Sequence, residues 1–247
     1  MSTRASRQPE ANAATATRSQ VLDALSTVYD PELDEPITAL GFVSACQVNA
    51  DGDVEVRLRL PTPQCAPNFA FLMAADARRV IRRLPGVRSV RVKLEDHYTG
   101  EEINAALQRG GGFTGAFPGE TEDDDLEALR ALFTRKALIA RQSRLCLQLL
   151  AEGWGTDEVV EASLWQLPSG PEADRCVELR RQLGLEAAPD SPAFLLPTGQ
   201  SLAADELKRW LRMAQLVRTS LEANGGICRS LLAVRHGVVT ENEEVRR

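Results

Sequence analysis

The chain has 247 residues, of which 43% are hydrophobic, and it carries a net charge of -6. This length accommodates one large domain or two smaller ones, and the apolar fraction is sufficient for a packed core. The acidic balance argues against nucleic acid and against a polybasic membrane contact, because both need a basic surface. No stretch is long and apolar enough to span a bilayer, and the first twenty residues hold no secretory signal.

The five cysteines and two histidines restrict the kind of metal site the chain can build. The cysteines are odd in number and form no CxxC pair, which predicts reduced thiols in the cytoplasm and excludes a disulfide framework and a zinc ribbon. Two histidines are too few for a histidine-rich metal cage.

The chain begins with residues 1–17, which lack hydrophobic periodicity and are predicted to form a disordered tail. A helix follows, with Ser19 as its N-cap, and it ends near Tyr29 because Pro31 disfavours helix in the residue before it. The acidic segment from Tyr29 to Pro36 is predicted to be an extended loop.

Residues 18–107 are predicted to form an α+β domain, with the element order helix, strand, strand, helix, strand. The two central strands alternate apolar and polar residues and are separated by the turn signal Asp51-Gly52. The last strand follows a helix, so it can add in parallel by a right-handed crossover and complete a small three-stranded mixed sheet. The predicted elements after the first helix are strands at 42–48 and 54–60, a helix at 69–84 and a strand at 87–94.

The loop between the second strand and its helix holds Cys65, flanked by Pro61, Pro63 and Pro67. The prolines stiffen the loop and place the thiol at or just before a helix N-terminus, where unpaired N–H groups favour an anion. Such a position suits a reactive or metal-binding thiolate. The alternative is a small apolar residue that fills the strand–helix junction.

Several motifs occur in a fixed order along these elements: Asp30-Pro31-Glu32, then 37–43 (ITALGFV), the Thr-Pro-Gln-Cys loop that ends at Cys65, and Leu-Pro-Gly-Val at 84–87. In this order they resemble the SufT/PaaD-like iron–sulfur cluster assembly family, over residues 18–95 only. The chain departs from the pattern where Ala66 separates Cys65 from Pro67, and it lacks the cysteine-rich C-terminal segment of PaaD-type proteins.

The resemblance implies a non-catalytic accessory role in the assembly or delivery of iron–sulfur clusters or iron to client metalloproteins. It assigns the metal or cluster site to Cys65, Asp30 and Glu32, which combine a soft thiolate with hard carboxylates. Without the resemblance, Asp30 and Glu32 are better explained as a turn former and a solvated acid; with it, the two explanations are balanced. A cluster needs four ligands, so a homodimer, a partner protein or glutathione has to supply the remainder.

His97 and Cys228 are secondary candidates for the same site. His97 follows the last strand, and its alternative is a loop histidine that caps the next helix. Cys228 follows two glycines near the end of the chain and is the most plausible second reactive thiol.

Residues 108–120 are glycine-rich and are predicted to be a linker, because a phosphate-binding loop would need a lysine and a preceding strand that are missing here. Residues 121–247 are predicted to form an all-α domain that docks a partner, with a loop at 189–199 and either a helix or an extended segment at 227–239. Its longest helix is predicted over 201–223, ending at Asn224-Gly225-Gly226.

Two functions remain open on the sequence alone. The first is the cluster-assembly factor, with transient iron or an iron–sulfur cluster as cargo and with client metalloproteins and other assembly proteins as partners; by resemblance to PaaD the client could be an oxygenase. The second is a protein-interaction adaptor without metal that docks on a multicomponent enzyme. A thiol enzyme with Cys65 as nucleophile is the weakest interpretation, because no histidine is paired with it by any motif.

Overall fold

The computed structural model describes residues 15–124 and 126–237. Residues 1–14 of the predicted tail and residues 238–247 of the predicted helical domain lie outside the described part. The first helix, α1, spans Arg18–Leu25. Its N-cap is Thr17 and not Ser19 as predicted: the Thr17 hydroxyl accepts from the Gln20 N–H at 3.2 Å, and the Gln20 side chain accepts from the Thr17 N–H at 2.8 Å. This reciprocal capping box satisfies backbone donors that Ser19, inside the helix, cannot reach.

The acidic segment folds back on itself instead of remaining extended as predicted. Strands β1 (Tyr29–Asp30) and β2 (Glu35–Pro36) pair antiparallel, with Asp30 opposite Glu35. The turn between the two strands is closed by Asp34, whose N–H donates to the Asp30 carbonyl at 2.9 Å. The backbone of Asp34 is left-handed, with a φ of 50°. The prolines restrict the backbone as expected, but short-range hydrogen bonds bend it into a hairpin.

The predicted order of helix, strand, strand, helix and strand is confirmed. Strand β3 (Val43–Val48) pairs antiparallel with β4 (Asp53–Arg59), and β5 (Ser89–Glu95) pairs parallel with β4 after helix α2 (Pro67–Arg82) crosses over the sheet. The alternation seen in the sequence places one side of the sheet in the core and the other in solvent. The buried residues of β4, α2 and β5 include Val54, Val56, Leu58, Ala70, Ala74, Ala77, Ile81, Val92 and Leu94.

The glycine-rich segment contributes to the first core. Helix α3 (Gly100–Arg109) ends at a left-handed Gly110, and a short helix, α4 (Phe113–Ala116), follows. Phe113 is buried and packs edge-on against Phe71, with ring centroids 5.5 Å apart. The segment is therefore anchored by aromatic burial, whereas its glycines alone predict a linker.

The rest of the described chain is helical, as predicted. It contains α5 (Glu127–Ala151), α6 (Thr156–Glu161), a 3₁₀ turn (Leu164–Gln166), α7 (Pro171–Gln182) and α8 (Leu207–His236). These helices enclose a second hydrophobic core. Its fully buried members include Leu145, Cys146, Leu149, Val159, Cys176, Leu179, Phe194, Trp210 and Ala214. Within 15–124 and 126–237, no helix is both long and apolar enough to cross a membrane.

Helix α8 runs straight through Gly225 and Gly226, so the predicted end of this helix at Asn224 is wrong. Neither glycine has a positive φ. Beyond them the helix packs on the first core through Leu232, which is fully buried, and Arg229 pairs with Glu35. Tertiary packing therefore outweighs the low helix propensity of the two glycines, about 1 kcal/mol each.

Substituting these adjacent glycines separately should give different results. A Cβ at Gly226 meets no atom within 4 Å, so Gly226→Ala is expected to stabilise the protein by about 0.5–1 kcal/mol. A Cβ at Gly225 comes 3.0 Å from a Glu35 carboxylate oxygen, so Gly225→Ala should gain less or destabilise. Thermal unfolding of the two variants checks this. Equal stabilisation by both would contradict the close contact between α8 and β2.

A buried ion pair joins the two parts of the chain. The Asp34 carboxylate accepts from Arg141 Nε at 2.7 Å and from Arg175 Nη2 at 2.7 Å, and its carbonyl accepts from Arg141 Nη2 at 2.8 Å. Arg175 also stacks on Tyr29, 3.7 Å from the ring centroid. Only 5% of the Asp34 side chain is exposed, so water does little to weaken this pair.

Neutralising Asp34 should destabilise the protein strongly. In Asp34→Asn the backbone can keep its left-handed turn, but Arg175 loses its counter-charge and Arg141 keeps only that of Glu172, so we expect a loss of about 3 kcal/mol in the free energy of unfolding. Urea unfolding measures this loss. The control is Glu178→Gln, which breaks an exposed pair with Arg181 and should cost at most about 1 kcal/mol. Similar losses in both variants would mean that the Asp34 pair is not specially stabilising.

Candidate functional site

Cys65 lies in the loop between β4 and α2, immediately before the start of that helix. Ala66 occupies the N-cap position and donates no capping side chain, and Pro67 is the first helical residue. The Cys65 N–H donates to the Thr62 carbonyl at 3.4 Å, and the Thr62 hydroxyl lies 3.5 Å from the Cys65 sulfur. The thiol is partly buried at the edge of the first core. A short turn closed by Thr62 therefore holds it beside the helix N-terminus.

His97 supports the Cys65 loop through the backbone. Its Nε2 donates to the Cys65 carbonyl at 2.7 Å, and this assigns the proton to Nε2 because a carbonyl oxygen only accepts. Its Nδ1 accepts from the Thr99 N–H at 3.3 Å and from the Thr99 hydroxyl at 3.1 Å. The structure thus brings His97 to the predicted site, although the sequence offered no sign of this proximity, and both of its ring nitrogens are already engaged.

Asp30 is buried at the start of the acidic hairpin. One carboxylate oxygen accepts from the N–H groups of Glu32 at 2.8 Å and Leu33 at 3.0 Å. Burial raises the pKa of the Asp30 carboxyl from 3.8 to about 6; the two backbone hydrogen bonds oppose this, and the charges of Glu32 and Glu35 add to it. Glu32 is partly exposed, and its Oε1 accepts from the Asn224 side chain of α8 at 3.2 Å.

Cys228 lies on the face of α8 that covers this region. The pKa of the Cys228 thiol is raised to about 11, mainly by burial, with smaller contributions from the charges of Asp30, Cys65 and Glu32 and an opposing one from Arg229. Cys228 is therefore within electrostatic reach of the three residues that the resemblance singles out. The thiols of Cys146 and Cys176 are buried in the second core, where burial raises their pKa to about 11 and about 12. They are structural thiols.

Three further side chains of α8 contact the loops of the candidate site, and the sequence analysis did not predict any of these contacts. Asn224 bonds Glu32, the Arg229 guanidinium bonds both Glu35 oxygens at 2.7 and 2.6 Å, and Arg235 donates to the Pro61 carbonyl at 2.9 Å and to Asp96 at 2.6 Å. The sequence did contain a signal that this helix continues beyond Asn224. The spacing of Leu221, Gly225, Cys228 and Leu232 continues one face across the glycines.

The described residues, 15–124 and 126–237, contain no group of three or more His, Cys, Asp or Glu side chains arranged to hold a metal ion. The candidate carboxylates are occupied: Glu32 by Asn224, and one oxygen of Asp30 by the hairpin backbone. The donor set of soft thiols and hard carboxylates suits iron or a cluster only as transient cargo, because each ligand has a competing protein partner.

Comparisons with known proteins match the first part of the chain. Residues 18–94 match the family described as iron-sulfur cluster assembly protein. An uncharacterized protein of Methanocaldococcus jannaschii is 34% identical over 92 residues, which are 37% of this chain and 95% of that protein. An Fe-S protein maturation auxiliary factor of Porphyromonas gingivalis is 35% identical over 78 residues, 32% of this chain and 72% of that protein.

The chain belongs to the iron–sulfur cluster assembly protein family through residues 18–94. An iron-sulfur cluster carrier protein of Deinococcus radiodurans is 35% identical over 89 residues, but the match covers only 23% of that protein. The predicted family is confirmed, and the shared region ends before the helical part of this chain begins.

The raised pKa of Asp30 should appear in the pH dependence of stability. Because the folded state binds the proton more tightly than the unfolded chain, the contribution of Asp30 is present at low pH and is lost as the pH rises from 3.8 through about 6. Asp30→Asn keeps an oxygen that can accept the two backbone hydrogen bonds but does not titrate. Relative to this variant, the wild type should lose roughly 3 kcal/mol between about pH 4 and about pH 7.

Urea unfolding across that range measures the difference. The comparison tests the burial of the carboxyl directly, because the variant shares every other titrating group with the wild type. Stability curves that run parallel would show that Asp30 titrates as an exposed carboxylate.

Proposed function

We propose that this protein assembles or delivers iron–sulfur clusters, or iron, to client metalloproteins, and that Cys65 is the thiol that holds the cargo. Membership of the iron–sulfur cluster assembly protein family carries this proposal, since residues 18–94 contain both the Cys65 loop and the Asp30 hairpin. Relatives of this region bear the names of a cluster carrier protein and a maturation auxiliary factor. The protein acts by binding and handing over, without catalysing a reaction of its own.

The position of Cys65 suits an anionic cargo. A cluster with thiolate ligands carries net negative charge, and Cys65 lies next to the positive end of the dipole of the 16-residue helix α2. His97 fixes the Cys65 carbonyl and so the direction in which the loop presents its thiol. Asp30 and Glu32 are proposed as carboxylate ligands that release their present partners when cargo is bound.

Transfer is a ligand exchange without a change of oxidation state. The iron–sulfur bond to Cys65 breaks as a thiolate of the acceptor forms its own bond to iron, and the proton of the acceptor thiol passes to solvent or to the departing Cys65 sulfur. The described part of one chain does not offer four good ligands, so a second copy, an assembly protein or glutathione supplies the rest. The five free thiols fit a reducing cytoplasm.

The second candidate is a protein-interaction adaptor that carries no metal. The observation in its favour is the outer face of α8, where Leu216 is 74% exposed, Ile227 58% and Val234 85%. Exposed apolar side chains on one helix face are typical of docking surfaces. This function and the cluster-assembly function differ in whether the chain itself binds iron. An oxygenase is one class of client that either function could serve.

Anaerobic reconstitution with iron and sulfide tests the role of Cys65. We expect the wild type to bind iron with the absorption of a cluster, Cys65→Ala to lose most of it, and the loaded wild type to activate an apo acceptor protein. Cys46→Ala is the matched control, because Cys46 is a free thiol of β3 that is buried away from the loop. Absence of iron from wild type and both variants, with a client still captured, would favour the adaptor.

A further inference from the structure

The second half of α8 lies across both loops of the candidate site. Asn224 reaches Glu32 at 3.2 Å and Arg229 reaches Glu35 at 2.6 Å, so one end of this segment is fixed to the acidic hairpin. Further along the helix, Arg235 donates to the Pro61 carbonyl at 2.9 Å, in the loop that carries Cys65. The helix therefore spans from one candidate loop to the other.

Cys228 lies between these anchor points on the same face. It is one helical turn after Asn224 and one turn before Leu232, which is fully buried in the first core. Cys65 and Cys228 both pack at the edge of that core, and both are partly exposed. The charge on Cys65 contributes to the raised pKa of Cys228, which agrees with this placement. The other three thiols are buried, two of them in the second core.

We propose that Cys228 is the second thiol of the Cys65 site, so that the helical domain supplies a ligand for the cargo held by the first domain. The proposal rests on the function proposed above. Family membership covers residues 18–94 only, so the ligand comes from a part of the chain outside the family region. Its ligand class is a thiophilic centre that binds two sulfurs, here an iron–sulfur cluster.

Loading of this thiol pair releases protons. Each cysteine gives its proton to solvent as its sulfur bonds to iron, and no electrons are transferred.

Phenylarsine oxide tests the pair without iron. This trivalent arsenical condenses with two neighbouring thiols, forming two As–S bonds and releasing one water, whereas a single thiol holds it weakly. Native mass spectrometry of the wild type should show one tightly bound arsenical per chain. Cys65→Ala and Cys228→Ala should each weaken binding by roughly 100-fold, since the second bond gains from a high effective concentration. Cys46→Ala should bind as the wild type does.

Unchanged binding in Cys228→Ala, or no tight binding in the wild type, would overturn the proposal. Failure here is distinct from failure of the proposed function. If Cys65→Ala loses its clusters but the wild type does not bind the arsenical, only the proposed role of Cys228 is wrong. If the wild type binds the arsenical tightly but takes up no cluster, the proposed cluster function is wrong and a two-thiol site remains.

The position of α8 provides an independent check. Arg229→Glu places two acids together and should detach the second half of the helix, so arsenical binding should fall although both thiols remain. Adding Glu35→Arg restores an ion pair with the charges exchanged and should restore binding. If binding is insensitive to Arg229→Glu, the thiols do not depend on the docking of α8 and the proposed geometry is wrong.

Discussion

The arrangement of this protein depends on one buried carboxylate. Asp34 is held by Arg141 from α5 and Arg175 from α7, and its backbone adopts a left-handed conformation to reach them. An unpaired charge in this position would cost several kcal/mol, so the three side chains stabilise the structure only together. The hairpin that contains Asp34 also contains Asp30 and Glu32. The ion pair that joins the domains therefore also positions the carboxylates of the candidate site.

The same hairpin explains why the site belongs to both domains. Its acidic side chains face the helical domain, where arginines of α5, α7 and α8 and an asparagine of α8 form hydrogen bonds and ion pairs with them. A family domain in isolation would present this acidic surface to solvent. Here the charges are neutralised within the chain, and the helix that completes the neutralisation carries Cys228. Helix α8 therefore both docks on the hairpin and carries the proposed ligand Cys228. A partner that binds the helical domain and moves α8 would for this reason affect the Cys65 site.

Cys65 and Asp30 also differ in how they are prepared for chemistry. The Cys65 loop is fixed by proline, by Thr62 and by His97, and its sulfur remains accessible. Asp30 is buried, and its pKa of about 6 lies close to neutral, so a small change in its surroundings alters its charge. A rigid thiol beside a carboxyl that is easily neutralised is a reasonable combination for cargo that has to be both held and released.

The sequence by itself determined the order of the helices and strands in the first domain, but not the hairpin at Asp30 or the N-cap of α1. Alternating residues in β4, the helical face of α2 and the order of motifs around Asp30 and Cys65 were sufficient, because these signals are local and short-range sterics enforce them. It also determined that the second half is helical. Its local signals misled at Asn224-Gly225-Gly226, where low helix propensity predicted an end that packing prevents.

Only the tertiary structure decided which residues share the site. Asn224 and Arg229 are nearly 200 positions from their partners in the acidic hairpin, with separations of 192 residues between Glu32 and Asn224 and 194 between Glu35 and Arg229. No periodicity encodes such a contact, since it depends on how two cores are oriented by Asp34 and its arginines. The sequence determined the chemical types of the candidate ligands, and the docking of two separately folded surfaces decided their proximity, because burial and charge pairing act through space and not along the chain.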